Sequence, residues 1–172
     1  MSPSLRERLS WQDGAVHDGP RRYLMMRPDV LMGAVAALDD AARAALLAAW
    51  AETTRMHGGA SLQAYAQQLG GDADALIAAT VAAAADLGWG SWALQREPWG
   101  LSLQVVNSPF VTGWRAAAAQ AALRPVCAPV RGMLAALGAA LLPGGTSVAE
   151  TDCAAQHDDP SCPCRFEARS AA

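Results

Sequence analysis

The tail of this sequence contains the runs Glu150-Thr-Asp-Cys153 and Cys162-Pro-Cys164-Arg-Phe166, and the rest of the chain is interpreted from them. With Cys127 upstream, these runs contain all four cysteines of the 172-residue chain, and a carboxylate lies three residues before one of them. Three thiolates and a carboxylate form a tetrahedral donor set that suits zinc. The sequence therefore predicts a zinc site drawn from Cys127, Glu150, Cys153, Cys162 and Cys164.

A site with four protein ligands is structural, because it leaves no position open for substrate or water. Its binding energy would be folding energy, and it would pin the tail hairpin to the preceding helix. Two alternatives remain at this stage. The cysteines could be packed as small hydrophobic residues, or Cys162-Pro-Cys164 could be a redox or sulfur-handling pair.

The composition indicates an apolar globular chain with no strong affinity for polyanions. Apolar residues make up 52% and charged residues 17%, and the net charge is −3. Without a basic run, direct binding to nucleic acid is not expected. No run is long and apolar enough for a membrane span, and the first residues lack the apolar centre of a signal peptide. These features predict a cytoplasmic location and cysteines that serve as ligands rather than disulfides.

Hydrophobic spacing predicts a helical N-terminal half followed by antiparallel hairpins, which is an α+β class. Residues 1–13 are expected to be a flexible N-terminus and residues 14–170 a single domain. Asp18-Gly19 predicts a first hairpin. Gly58-Gly59 and Gly70-Gly71 are interpreted as helix stops. The predicted helices span 28–38, 41–54, 61–69, 73–87, 112–123 and 125–142, and the later strands span 89–95, 99–107, 146–151 and 165–168.

The tail resembles the end of the 4-vinyl-reductase-type domain family. The matching features are Glu150-x-x-Cys153, the turn with Asp159-Pro160, and Cys164-Arg-Phe166. The spacing from Cys127 to Glu150 and the Trp-rich hairpin before it are similar as well. The turn here is longer than in the family, has no glycine and leads to two thiols. On the matching positions the ligands are Cys127, Glu150, Cys153 and either Cys162 or Cys164.

The resemblance implies an α+β fold similar to the subunits of vesicle-tethering complexes, often as a homodimer. It implies a pocket for a small hydrophobic molecule, held in a zinc-stabilised sensor or carrier domain. The family includes sensory domains of aromatic-hydrocarbon-responsive activators and a protein associated with bacteriochlorophyll 4-vinyl reduction. A role as an accessory factor or enzyme in tetrapyrrole vinyl reduction is therefore the alternative, as is a structural assembly subunit. An independent reductase is disfavoured, because no dinucleotide-binding fingerprint is present.

Aromatic and apolar residues in the second half form the candidate pocket wall, since small-molecule sites are usually lined this way. His57, at the expected end of a helix beside two glycines, is the candidate for the ligand's polar group. The predicted pocket residues are Trp89, Trp92, Trp99, Leu103, Phe110, Trp114 and His57.

Overall fold

Two antiparallel sheets and six helices make up the described part of the chain, residues 4–159 and 162–170 of a computed structural model. The small sheet contains β1 (Ser10–Gln12), β2 (Ala15–Asp18) and β3 (Arg21–Tyr23) in that order. The larger sheet has the order β4-β5-β7-β6. Its strands are β4 (Ser91–Glu97), β5 (Gly100–Val106), β6 (Thr146–Asp152) and β7 (Cys164–Ser170). The predicted α+β class is confirmed.

Aspartate side chains cap the first turns of two helices. Asp39 accepts a hydrogen bond from the Ala42 amide, and Asp72 accepts from the Asp74 and Ala75 amides. Such side-chain caps satisfy amides that have no partner within the helix. The helices are α1 (Leu5–Arg8), α2 (Pro28–Ala36), α3 (Asp40–Gln68), α4 (Ala73–Asp86), α5 (Pro109–Ala117) and α6 (Ala128–Leu141).

Helix α3 corrects the prediction of two helices separated at Gly58-Gly59, because it runs through both glycines without interruption. The glycines lie against α6 instead. A Cβ built on Gly58 would come within 3.0 Å of the Met133 methyl carbon, and one on Gly59 within 3.7 Å of the Ala136 Cβ. Here glycine allows α3 and α6 to pack closely, and this tertiary contact outweighs the weak helix propensity of glycine.

Helix α6 lies between α3 and the larger sheet and forms the centre of the core. A Cβ on Gly132 of α6 would lie only 2.2 Å from the Ala51 carbonyl oxygen of α3. The inward residues of β5 and β7 pack in the same core, where they alternate with exposed or half-buried residues as the sequence predicts. The fully buried side chains of this core include Leu101, Leu103, Val105, Val130, Leu134, Leu137 and Phe166.

The N-terminal segment also differs from the prediction. Residues 5–12 form α1 and β1, whereas the sequence indicates a flexible stretch through residue 13; residues 1–3 lie outside the described part. Leu5 is buried, and the Arg8 guanidinium donates to Asp18 and to the Tyr65 hydroxyl. These contacts hold the segment against β2 and α3, and they involve pairs distant in sequence that local composition does not reveal.

The Trp-rich hairpin and the tail strands are confirmed. The predicted helix 112–123 is displaced, since α5 begins three residues earlier, at Pro109, and ends six residues earlier, at Ala117. The apolar, Ala-rich sequence from residue 73 predicts a largely buried helix, and this prediction is wrong, because in α4 only Leu76, Thr80 and Ala84 are buried. No helix in the described ranges is long and apolar enough to cross a membrane.

Candidate functional site

Four of the five predicted metal ligands converge at one end of the larger sheet. Cys127 immediately precedes α6, Glu150 lies in β6, Cys153 directly follows β6, and Cys164 begins β7. One donor atom from each lies within 4.8 Å of all the others. We call these four residues the donor cluster. Cys162 is not part of it, so the geometry favours Cys164 over Cys162 as the fourth candidate ligand.

A β-bulge in β6 brings both ligands of the Glu150-x-x-Cys153 run to one side. Glu150 is paired with Phe166, but Asp152 is paired with Arg165, so the register shifts by one residue between them. In a regular strand, residues three apart point to opposite faces. The extra residue at Thr151 cancels that alternation. Glu150 and Cys153 can therefore both face Cys127 and Cys164.

Hydrogen bonds hold the donors in position. The Cys127 amide donates to Glu150 Oε2 at 3.2 Å, and the Ala154 amide donates to Cys164 Sγ at 3.3 Å. The Ser108 hydroxyl lies 3.4 Å from Cys127 Sγ. Ser108 precedes α5 but makes no capping bond with its side chain, so its hydroxyl is available to the cluster. Groups that fix ligand orientation in this way are a regular feature of metal sites.

Burial shifts the pKa values within the donor cluster, and one of its oxygens has no partner among the described residues. Glu150 Oε1 is buried and has no hydrogen-bond partner among the described residues. Burial raises the pKa of the Glu150 carboxyl to about 9, and the Cys153 sulfur adds to that rise. Hydrogen bonds with Cys127 and Cys153 lower the pKa of the Cys164 thiol to about 4. The buried donors thus concentrate negative charge on one sulfur and leave a carboxyl oxygen unpaired.

The donor set fits a tetrahedral metal ion. With Zn–S bonds of about 2.3 Å at tetrahedral angles, two coordinating sulfurs are about 3.8 Å apart. Cys127 Sγ and Cys164 Sγ are 3.7 Å apart. A divalent cation would bind the Glu150 oxygen that has no hydrogen-bond partner among the described residues. It would also favour the ionised form of all four donors. The cluster could therefore hold zinc as a structural clamp joining α6, β6 and β7.

The predicted pocket residues do not gather around one cavity. Trp89 and Phe110 line an open cleft of about 600 Å³, and their rings meet edge to face at 5.7 Å. Trp92 is buried beside Trp89, to whose carbonyl its indole nitrogen donates. Leu103 is core, at 1% exposure.

The other three predicted residues lie elsewhere. Trp99 is half-buried at the tip of the β4–β5 hairpin under the Arg169 guanidinium. Trp114 packs against Arg43 and donates to the Gln120 carbonyl. His57 is exposed in the middle of α3 and does not line the cleft. Its prediction depended on a helix end that the structure does not have.

Sequence reasoning missed most of the cleft wall, which we call the N-terminal wall: Trp11, Val16, Tyr23, Leu24, Met25, Met26 and Leu31. These residues come from the small sheet, from the loop that connects β3 to α2, and from α2 itself. The predicted Asp-Gly hairpin was a signal for part of this wall, but nothing in the local pattern places that hairpin opposite Trp89. Trp50 of α3 was missed as well, and its ring meets Phe110 at 5.6 Å.

Comparison with known proteins supports the fold. No known family profile matches this chain, and no curated protein matches it in sequence. Among solved structures, the chain is similar to the crystal structure of the phenol-responsive sensory domain of the transcription activator PoxR with phenol. The TM-score is 0.78 at 15% sequence identity, over 96% of this chain and 86% of that chain. At this identity the similarity establishes a shared α+β architecture.

Proposed function

We propose that this chain is a metal-stabilised binding domain for a small hydrophobic molecule, acting as a sensor or carrier. The observation that carries the proposal is the apolar cleft floored by Trp89 and Phe110. The similarity to a phenol-responsive sensory domain supports the same class of function. The ligand class is a small, largely apolar molecule.

The cleft has the composition of a small-molecule site. Such sites typically enclose roughly 300–1,000 Å³ and combine apolar walls with a few polar groups. Here the two aromatic rings lie opposite the N-terminal wall, and Tyr23 brings a hydroxyl to it. Tyr23 is half-buried, and burial raises the pKa of its phenol. Its hydroxyl stays protonated near neutral pH and can donate to a polar group on an otherwise apolar ligand.

Zinc is the proposed cofactor, and its role would be structural. The four donors come from three places, the residue before α6, the end of β6 and the start of β7, so a bound ion would crosslink these elements and contribute its binding energy to folding. Glu150 Oε1, which has no hydrogen-bond partner in the described part of the chain, supports the proposal. The orientation of β7 would then depend on the ion, because Cys164 is the first residue of that strand.

The ligand proposal is tested by native mass spectrometry of freshly purified protein, followed by titration with apolar fluorescent probes. Replacement of Trp89 by Ala should abolish ligand retention and weaken probe binding, because it removes one of the two rings of the floor. The matched control is Trp99→Ala, which truncates an indole outside the cleft. Equal probe binding by wild type and Trp89→Ala would reject the cleft as the ligand site.

The metal proposal is tested by elemental analysis of protein purified under reducing conditions. We expect one equivalent of zinc in wild type, and its loss together with reduced folding in Cys127→Ala. The matched control is Cys162→Ala, which should keep the ion because Cys162 is outside the donor cluster. A metal-free wild-type protein that is fully folded would reject a zinc clamp.

A second candidate function is that of a homodimeric assembly subunit, and exposed apolar residues favour it. Trp11, Leu24, Met25 and Met26 form the rim of the cleft and are 66%, 80%, 76% and 49% exposed. Contiguous exposed apolar patches often mark interaction sites. Accessory or enzymatic action in tetrapyrrole vinyl reduction stays a prediction from the resemblance. It would be revealed by substrate-dependent consumption of reductant.

A further inference from the structure

Cys162 lies beside the donor cluster without belonging to it. It is half-buried, and it shares a cavity of about 260 Å³ with Cys164, two residues later. The rest of the wall comes from the end of β5, from α5 and from Ala154. Asn107 and Thr112, which also line the cavity, are exposed. The cavity therefore opens to solvent at one end and reaches a proposed metal ligand at the other.

The other donors are less accessible from this side. All three thiols of the cluster are buried, Cys164 at 1% exposure and Cys127 and Cys153 at 0%, but only Cys164 lines the cavity. Glu150 does not line it either, and its Oε1 atom is buried. Cys164 is thus the donor that the cavity reaches, and Cys162 is the additional thiol on the route to it.

The cavity is large enough for an ion that keeps part of its hydration shell. A water molecule takes up about 30 Å³ in the liquid, so 260 Å³ holds several waters. A thiolate is also the kind of side chain that binds zinc strongly. A half-buried thiol can bind such an ion before the remaining waters of the ion are removed.

We infer that Cys162 is the transfer ligand of the metal site, the thiol through which a thiophilic divalent cation reaches and leaves the donor cluster. This inference rests on the metal site proposed above. Cys162 loses its proton to solvent as it forms a sulfur–metal bond and displaces a bound water. Cys162 takes up a proton from solvent when the Cys164 thiolate replaces it on the metal ion, and no oxidation state changes.

The test is the rate at which zinc-loaded full-length protein gives up its ion to an excess of a chromogenic chelator. Cys162→Ser should retain one equivalent of zinc and the wild-type melting temperature. Its zinc release should be slower by about tenfold, which corresponds to about 1.4 kcal/mol of activation free energy. The matched control is Thr112→Val, which alters the same cavity wall without touching a thiol and should release zinc at the wild-type rate.

The outcomes separate the two proposals. Wild-type protein that binds no zinc would reject the metal site and the inference with it. Zinc-loaded Cys162→Ser that releases its ion at the wild-type rate would reject the inference alone. Loss of zinc binding in this variant would also overturn it, because Cys162 would then be a resident ligand. Cys162→Ala, measured in parallel, excludes an effect of the serine hydroxyl.

Discussion

At the scale of single residues, Glu150 has a buried carboxylate that is only half satisfied by the described residues. One carboxyl oxygen accepts from the Cys127 amide, while the other is buried and unpaired. Leaving a buried acceptor unpaired costs about 1–3 kcal/mol. A bound cation would remove this cost, so substitution of Glu150 should have opposite effects on the metal-free and metal-loaded protein.

We therefore expect Glu150→Gln to weaken zinc binding by at least about 100-fold, the upper end of what loss of a supporting group alone produces. In the metal-free protein, the folded pKa of about 9 lies above the ordinary value of 4.5. The contribution of Glu150 to the free energy of unfolding is thus fully present below pH 4.5 and is lost as the pH rises towards 9.

The measurement is urea denaturation of both proteins, with and without zinc, between pH 5 and pH 9. Metal-free Glu150→Gln should gain stability relative to metal-free wild type as the pH rises, since glutamine does not titrate. With zinc present, the order should reverse. A constant difference across this range would show that Glu150 has an ordinary pKa in the folded protein.

At the scale of elements, the contact between α3 and α6 gives glycine two opposite roles. At Gly132 an added Cβ would lie 2.2 Å from the Ala51 carbonyl oxygen, whereas at Gly59 it would meet the Ala136 Cβ at 3.7 Å. The first distance requires the two backbones to separate, and the second is an ordinary van der Waals contact.

Gly132→Ala should therefore destabilise the protein by about 1–3 kcal/mol, as overpacking does. Gly59→Ala should stabilise it by up to about 1 kcal/mol, because alanine has the higher helix propensity. Urea denaturation of the two variants beside wild type checks both signs. Stabilisation by Gly132→Ala would mean that the helices are farther apart than described.

These glycines also show what sequence can reveal and what it cannot. Gly70-Gly71, which follows a helix as predicted, has positive φ at both residues. Gly58-Gly59 looks the same locally but is helical, because α6 packs against it. Likewise, the Glu150-x-x-Cys153 run identified two members of the donor cluster, whereas the choice between Cys162 and Cys164 depended on where β7 begins. Local pattern identifies such residues, but long-range packing decides their role.

At the scale of the whole molecule, the sequence identifies the aromatic residues but does not show which of them line the cleft. Trp89 and Trp92 lie side by side, yet the first lines the cleft and the second fills the core. Trp99 and Trp114 pack under arginine side chains elsewhere. The cleft depends on the small sheet approaching α4 and α5, a contact between distant parts of the chain.

The proposed homodimer is tested by substitution of two leucines whose side chains have similar exposure. Leu24 on the cleft rim is 80% exposed and Leu123, between α5 and α6, is 83% exposed. Leu24→Lys should convert a dimer to a monomer in sedimentation velocity, because it would place a charge in the apolar interface. Leu123→Lys should leave the dimer intact. A monomeric wild-type protein, or equal effects of both substitutions, would argue against a dimer through this rim.

The bulge at Thr151 makes this residue dispensable to the two donors on either side of it. The exposed Thr151 side chain does not reach the donor cluster, so many residues should be accepted at that position. Deleting it would leave Glu150 and Cys153 two residues apart, and residues two apart in a regular strand point to the same face. Deleting Asp152 as well would make the two donors neighbours that point to opposite faces. In a library of mutants, substitutions and a single deletion at position 151 should therefore survive where the double deletion does not. Position 151 thus carries a residue that the strand pairing accommodates but does not need.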